Sequence, residues 1–105
     1  IGSFGCSGQK LEGRWRGPLP LEDAKACVTN LYSNSRFDTF CEGGSWVGSG
    51  EYQASGDRIT LNFNLLTRRG EVVKHPAPLE MEFVGRGNEL ALKWREVDLV
   101  WRRRM

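Results

Sequence analysis

Few side chains in this 105-residue sequence are equipped for chemistry, and their spacing narrows the choice further. His75 is the single histidine, and Lys74-His75-Pro76-Ala77-Pro78 around it reads as loop. No pair of cysteines has Cys-x-x-Cys spacing, so the ligand pattern of a zinc site is missing and no metal is expected. His75 has no identifiable serine or cysteine partner for nucleophilic catalysis. No Gly-x-Ser-x-Gly elbow exists either; Gly48-Ser49-Gly50 lies within a strand pattern. Glu80 and Glu82 could in principle share acid–base work, but they alternate outward and read as a solubilising face. Gly43-Gly44 and Gly85-Arg86-Gly87 mark turns with no helix behind them, so no helix N-terminus is offered to a phosphate. The expectation is a non-enzymatic protein without a cofactor.

The cysteines are Cys6, Cys27 and Cys41, an odd number that suggests one pair and one leftover thiol in a secreted protein. Residues 26–32 and 36–42 read as two strands joined by the turn Ser33-Asn34-Ser35. Centring that turn on Asn34 sets Cys27 opposite Cys41, Thr29 opposite Thr39 and Leu31 opposite Phe37. Directly opposed residues of an antiparallel pair have Cα atoms about 4.5 to 5.5 Å apart, within reach of a disulfide. A Cys27–Cys41 bridge is the preferred reading; two reduced cysteines packed as small apolar residues is the other. For Cys6 the readings are an exposed thiol, a disulfide partner or a lipid anchor. The context Ser3-Phe4-Gly5-Cys6 resembles bacterial lipoprotein processing sites, although Ser3 stands where a leucine is usual.

The elements that must position these groups are strands. Trp46, Gly48, Gly50 and Tyr52 share one parity, as do Ile59, Leu61, Phe63 and Leu65, which is the period of two of half-buried strands. Ala54-Ser55-Gly56-Asp57 lies between them, so residues 45–65 form a hairpin turned at a glycine that tolerates positive φ. Upstream, residues 11–17 form a first strand ended by Pro18 and Pro20, and residues 21–25 allow one helical turn. Downstream, Thr67 to Gly70 is a turn, and residues 71–74 start a short strand interrupted by the prolines. That strand resumes over residues 79–84, and residues 89–95 and 97–103 complete eight strands with no convincing helix.

A meander of this kind leaves two edges bare unless the first strand pairs with the last. The expected architecture is a small eight-stranded antiparallel up-and-down β-barrel over residues 11–105, preceded by a flexible leader at 1–10. The chain begins at Ile1 rather than at a methionine, so a processed or truncated product is expected. Fifteen basic and 13 acidic residues nearly cancel, which argues against nucleic acid as a partner. No apolar run approaches the roughly 20 residues of a transmembrane helix.

Inside such a barrel, Trp15, Phe37, Trp46, Tyr52, Phe63, Phe83 and Trp94 share the inward parity. They are first of all a packed core; at an open mouth they would line an apolar pocket. The alternative parity of the second and third strands would instead bring Val28, Tyr32 and Phe40 inward. Arg14 and Arg16 would neighbour Arg102 or Arg104 after closure, and Arg68, Arg69, Lys74 and His75 form a second basic group. Both could meet an acidic partner or a membrane surface, but read more simply as solvated faces balanced by Glu12, Glu71 and Asp98.

Gly13-Arg14-Trp15 resembles the Gly-x-Trp of the first strand of lipocalins, and Arg102, Arg103 and Arg104 end the last strand. The run GSGEYQASGDRITLNF is similar to a hairpin of short bacterial lipocalin-like domains. The resemblance to the calycin group implies that one terminal arginine packs over Trp15 and closes the barrel. Secreted inhibitors of bacterial metalloproteases are similar in size, barrel and single disulfide, but their inserting segment has no counterpart in residues 1–10. Two functions are therefore expected. One is an extracytoplasmic module, secreted or periplasmic, binding a small apolar or amphipathic ligand. The other is a protein-interaction module, such as a protease inhibitor, acting through loops or leader.

Overall fold

The computed structural model describes residues 11–103. The expected leader, with Cys6, and Arg104 lie outside the described residues. The strands are β1 (Gly13–Gly17), β2 (Cys27–Leu31), β3 (Arg36–Cys41), β4 (Trp46–Ser55), β5 (Arg58–Arg68), β6 (Glu71–Val72), β7 (Leu79–Arg86), β8 (Glu89–Trp94) and β9 (Val97–Arg103). They pair in the order β4-β3-β2-β1-β9-β8-β7-β5, and β5 returns to β4, which closes an eight-stranded antiparallel barrel. The two-residue β6 pairs only with the far end of β5. Among the described residues helix is confined to one 3-10 turn, Glu42–Gly44, which takes Glu42 from the expected strand end and includes the expected turn at Gly43-Gly44.

The β2–β3 hairpin has the expected register: Cys27 faces Cys41, Thr29 faces Thr39 and Leu31 faces Phe37. Cys27 and Cys41 are joined in a disulfide. Their strand parity places Leu31 and Phe37 inside and leaves Tyr32 and Phe40 exposed, so the alternative inward set of Val28, Tyr32 and Phe40 does not form. The two buried threonines satisfy each other, Oγ1 to Oγ1 at 2.8 Å.

Three local expectations change. In β5, Gly50 pairs with Phe63 but Ser49 pairs with Leu65, so Asn64 is an extra residue in a β-bulge. A bulge reverses the facing of everything beyond it. Leu65, expected inside, is 48% exposed, and Leu66 is buried in its place. Gly50 permits this, because a Cβ there would overlap the Asn62 carbonyl. Secondly, β5 continues through Thr67 and Arg68, so the turn contracts to Arg69 and Gly70. Thirdly, residues 21–25 make a turn, Ala24 N–H to Leu21 O, but Asp23 has φ 65°, which no right-handed helical turn accommodates.

The interior is filled. Trp15, Leu31, Phe37, Ile59, Leu61, Met81, Leu90, Leu92 and Trp101 are all 2% exposed or less. Trp101 was not among the inward aromatics expected from the sequence, although Leu99, Trp101 and Arg103 alternate. Its indole N–H donates to Pro18 O at 2.7 Å. Gly17 accepts the close approach, since a Cβ there would overlap the Val100 carbonyl and the Trp101 ring. No described helix is long and apolar enough to cross a membrane.

Candidate functional site

The barrel has one sealed end and one parted end. At the sealed end β1 meets β9 through two residue pairs, Arg16 with Arg102 and Trp15 with Arg103. The Arg103 guanidinium stacks on the Trp15 ring at 4.3 Å from the centroid. It also donates to Glu12 O at 2.6 Å, while the Trp15 indole donates to Leu11 O. Gly13 makes room: it has φ 134°, and a Cβ would collide with the arginine. Of the terminal arginines, then, Arg103 covers the first-strand tryptophan.

The other end opens because β7 begins only at Leu79, while β5 runs on to Arg68. Their last residue pair is Leu61 with Leu79. Beyond it β5 runs on through the bulge and pairs with β6 instead. Beside this extension of β5, toward Trp94 and Arg95, lies a cleft of about 380 Å³. Its floor is Trp46, Phe63, Leu66 and Leu79; Trp94 and Arg95 stand at one rim.

Two loops form the walls. Residues 18–26 are held down by Leu19 and Ala24, which are buried and share a backbone hydrogen bond. The Trp46 indole donates to Glu22 O at 2.7 Å. Arg68 clamps the same loop, pairing with Glu22 at 2.9 Å and Asp23 at 3.6 Å while stacking on Trp46 at 5.2 Å. Arg69 reaches Asp23 at 3.6 Å. Such exposed pairs are worth roughly 0 to 1 kcal/mol each, but here they converge on one wall. The second wall, residues 73–78, is tied by Val73 N–H to Leu66 O at 2.8 Å. Pro76 and Pro78 stiffen it, since each locks φ.

Backbone strain gathers at this end. The described non-glycine residues with positive φ are Asp23, Ser35, Arg69, His75 and Arg95, and all but Ser35 lie in the loops of the parted end. Positive φ is unfavourable for side chains with a Cβ, and it recurs at ligand clamps.

Of the seven expected aromatics, the cleft brings together Trp46, Phe63 and Trp94. Trp15 and Phe37 are core; Phe37 meets Phe63 edge to face at 5.3 Å. Tyr52 and Phe83 are half-buried toward the sealed end, where the Tyr52 hydroxyl donates to Tyr32 O and Phe83 N–H to Asp57 O. Sequence reading missed Leu66, Val73 and Arg95 as lining residues. The alternating pattern held no hint that β5 would run so far past the start of β7.

The basic groups are largely balanced, by other carboxylates than those expected. Arg102 pairs with Glu89 at 2.9 Å, and Arg68 and Arg69 pair with Glu22 and Asp23. On the outer wall the Tyr32 hydroxyl donates to Asp38 at 2.7 Å, and this hydrogen bond, with burial behind it, raises the phenol's pKa above its ordinary value. Burial raises that of Tyr52 too. Among the described residues no cluster of histidine, cysteine and carboxylate could hold a metal. Compared with known protein families, curated proteins and solved structures, the chain finds no match.

Proposed function

We propose that the protein is a calycin-like, non-enzymatic binding module that works outside the cytoplasm and takes a small apolar or amphipathic molecule in the cleft at the parted end, beside the extension of β5. The observation that carries this reading is an apolar floor of Trp46, Phe63, Leu66 and Leu79 between two tethered walls. Its volume of about 380 Å³ falls in the range of about 300–1,000 Å³ typical of small-molecule sites. Because the barrel interior is packed, the ligand sits at the parted end and not along the barrel axis. The disulfide supports an oxidising compartment.

Native mass spectrometry after exposure to a lipid and metabolite extract tests the reading. A stoichiometric small adduct is expected on the wild-type protein. Ala77→Trp, on the exposed wall, should fill the cleft and remove the adduct while leaving the fold intact. A bare wild-type mass, or an adduct indifferent to Ala77→Trp, would sink the proposal.

A further inference from the structure

We infer that the cleft selects amphipaths with an anionic head, and that Arg95 is the residue that selects them. The inference rests on the cleft being the binding site. It begins from the charges on the lining, which are Glu22, Arg68 and Arg95. Glu22 is already committed to Arg68 at 2.9 Å, and Asp23 lies 3.6 Å from the same guanidinium. No carboxylate among the described residues is recorded within ion-pair distance of Arg95. One positive charge at the rim is therefore uncompensated.

Arg95 is also held in place. Its guanidinium lies over the Trp94 ring at 4.4 Å from the centroid. A guanidinium held against an indole is steadied for a two-point grip on a carboxylate or other oxyanion. The backbone contributes too. Arg95 occupies the two-residue turn between β8 and β9 with φ 57°, where glycine or asparagine would be less strained. That turn points the side chain at the boundary between two surfaces. One is the apolar cleft; the other is an outer groove lined by Arg58, Glu80, Glu82 and Lys93 as well as Arg95. In that groove Glu82 lies 3.8 Å from Arg58, so one of its two carboxylates already has a cation. An apolar tail on the floor would place its head at this boundary.

The probes are decanoate, decanol and decyltrimethylammonium, each below its aggregation concentration, titrated at pH 7.5 by calorimetry and tryptophan fluorescence. Decanoate should bind the wild-type protein about tenfold or more tightly than decanol, and the cation should bind more weakly than either. Arg95→Gln should bring decanoate down to the decanol level and leave decanol unchanged; Arg95→Lys should fall between. Added salt should weaken decanoate alone. If decanol and decanoate bind equally, and Ala77→Trp blocks both, the cleft stands and the role of Arg95 is overturned. If none of the three binds, the cleft reading fails with it. Sedimentation with phosphatidylglycerol vesicles without decanoate binding would overturn the inference in favour of a membrane surface.

Discussion

The two ends of the barrel use the same pair of side chains for different ends. At the sealed end Arg103 covers Trp15 at 4.3 Å; at the parted end Arg95 covers Trp94 at 4.4 Å. The stacking distances are nearly equal, so the cation–π contact does not distinguish them. Surroundings do. Trp15 is fully buried, and Arg103 donates to Glu12 O in space opened by Gly13. Trp94 is only half-buried, and Arg95 faces solvent beside an apolar cleft. A stack whose hydrogen bonds are turned into the protein acts as a seal. A stack exposed to solvent beside apolar surface is available to a ligand.

Tryptophan truncation should separate the ends most strongly. Trp15→Ala removes a fully buried ring and is expected to cost about 3–5 kcal/mol, against about 1–2 kcal/mol for Trp94→Ala at its half-exposed site. Urea unfolding would measure both; equal losses would dissolve the distinction. Next comes the disulfide near the parted end. Replacing Cys27 and Cys41 together by serine should cost about 2–4 kcal/mol by loosening the unfolded chain, with the barrel retained by circular dichroism.

Arginine truncation gives a finer contrast. Arg103→Met should cost about 1–2 kcal/mol, combining the lost stack and hydrogen bonding, whereas Arg95→Met should change stability by about 0.5 kcal/mol or less. A destabilisation by Arg95→Met as large as that of Arg103→Met would show that both stacks are structural. The smallest effect is alkaline. The folded pKa of Tyr32 is raised from 10.0 by the hydrogen bond to Asp38. Its contribution is thus fully present below pH 10 and is lost as pH rises through the folded value. Thermal melts of Tyr32→Phe should accordingly fall less steeply above pH 10 than those of the wild type.

The eight barrel strands were legible because each buries one face, and a period of two survives in the sequence whatever lies across the barrel. Residues such as Leu65 escaped this logic: one extra residue at Asn64 reverses the facing, and its only sequence sign is a glycine on the partner strand. Phe63 and Trp94 were legible as inward-facing, but not as neighbours of an opening.

The register of the β2–β3 hairpin was determined by sequence alone, since a short turn centred on Asn34 sets which residues oppose, whereas the face that turns inward, with Leu31 and Phe37, was left to the closed barrel. The choice of eight strands and of a closed sheet was likewise determined, by strand number and the need to cover edges. The choice of Arg103 over its neighbours at Trp15 was left to tertiary structure, because three successive arginines differ only in which way the closed strand faces them. The cleft was decided there as well. It exists because β5 trades β7 for β6 after Leu61, and its lining joins residues 20–22, 46, 63, 66, 68, 73, 76–79 and 94–95. Contacts so distant in sequence leave no periodic trace. They arise only when the barrel closes and β5 runs on past the start of β7 at Leu79.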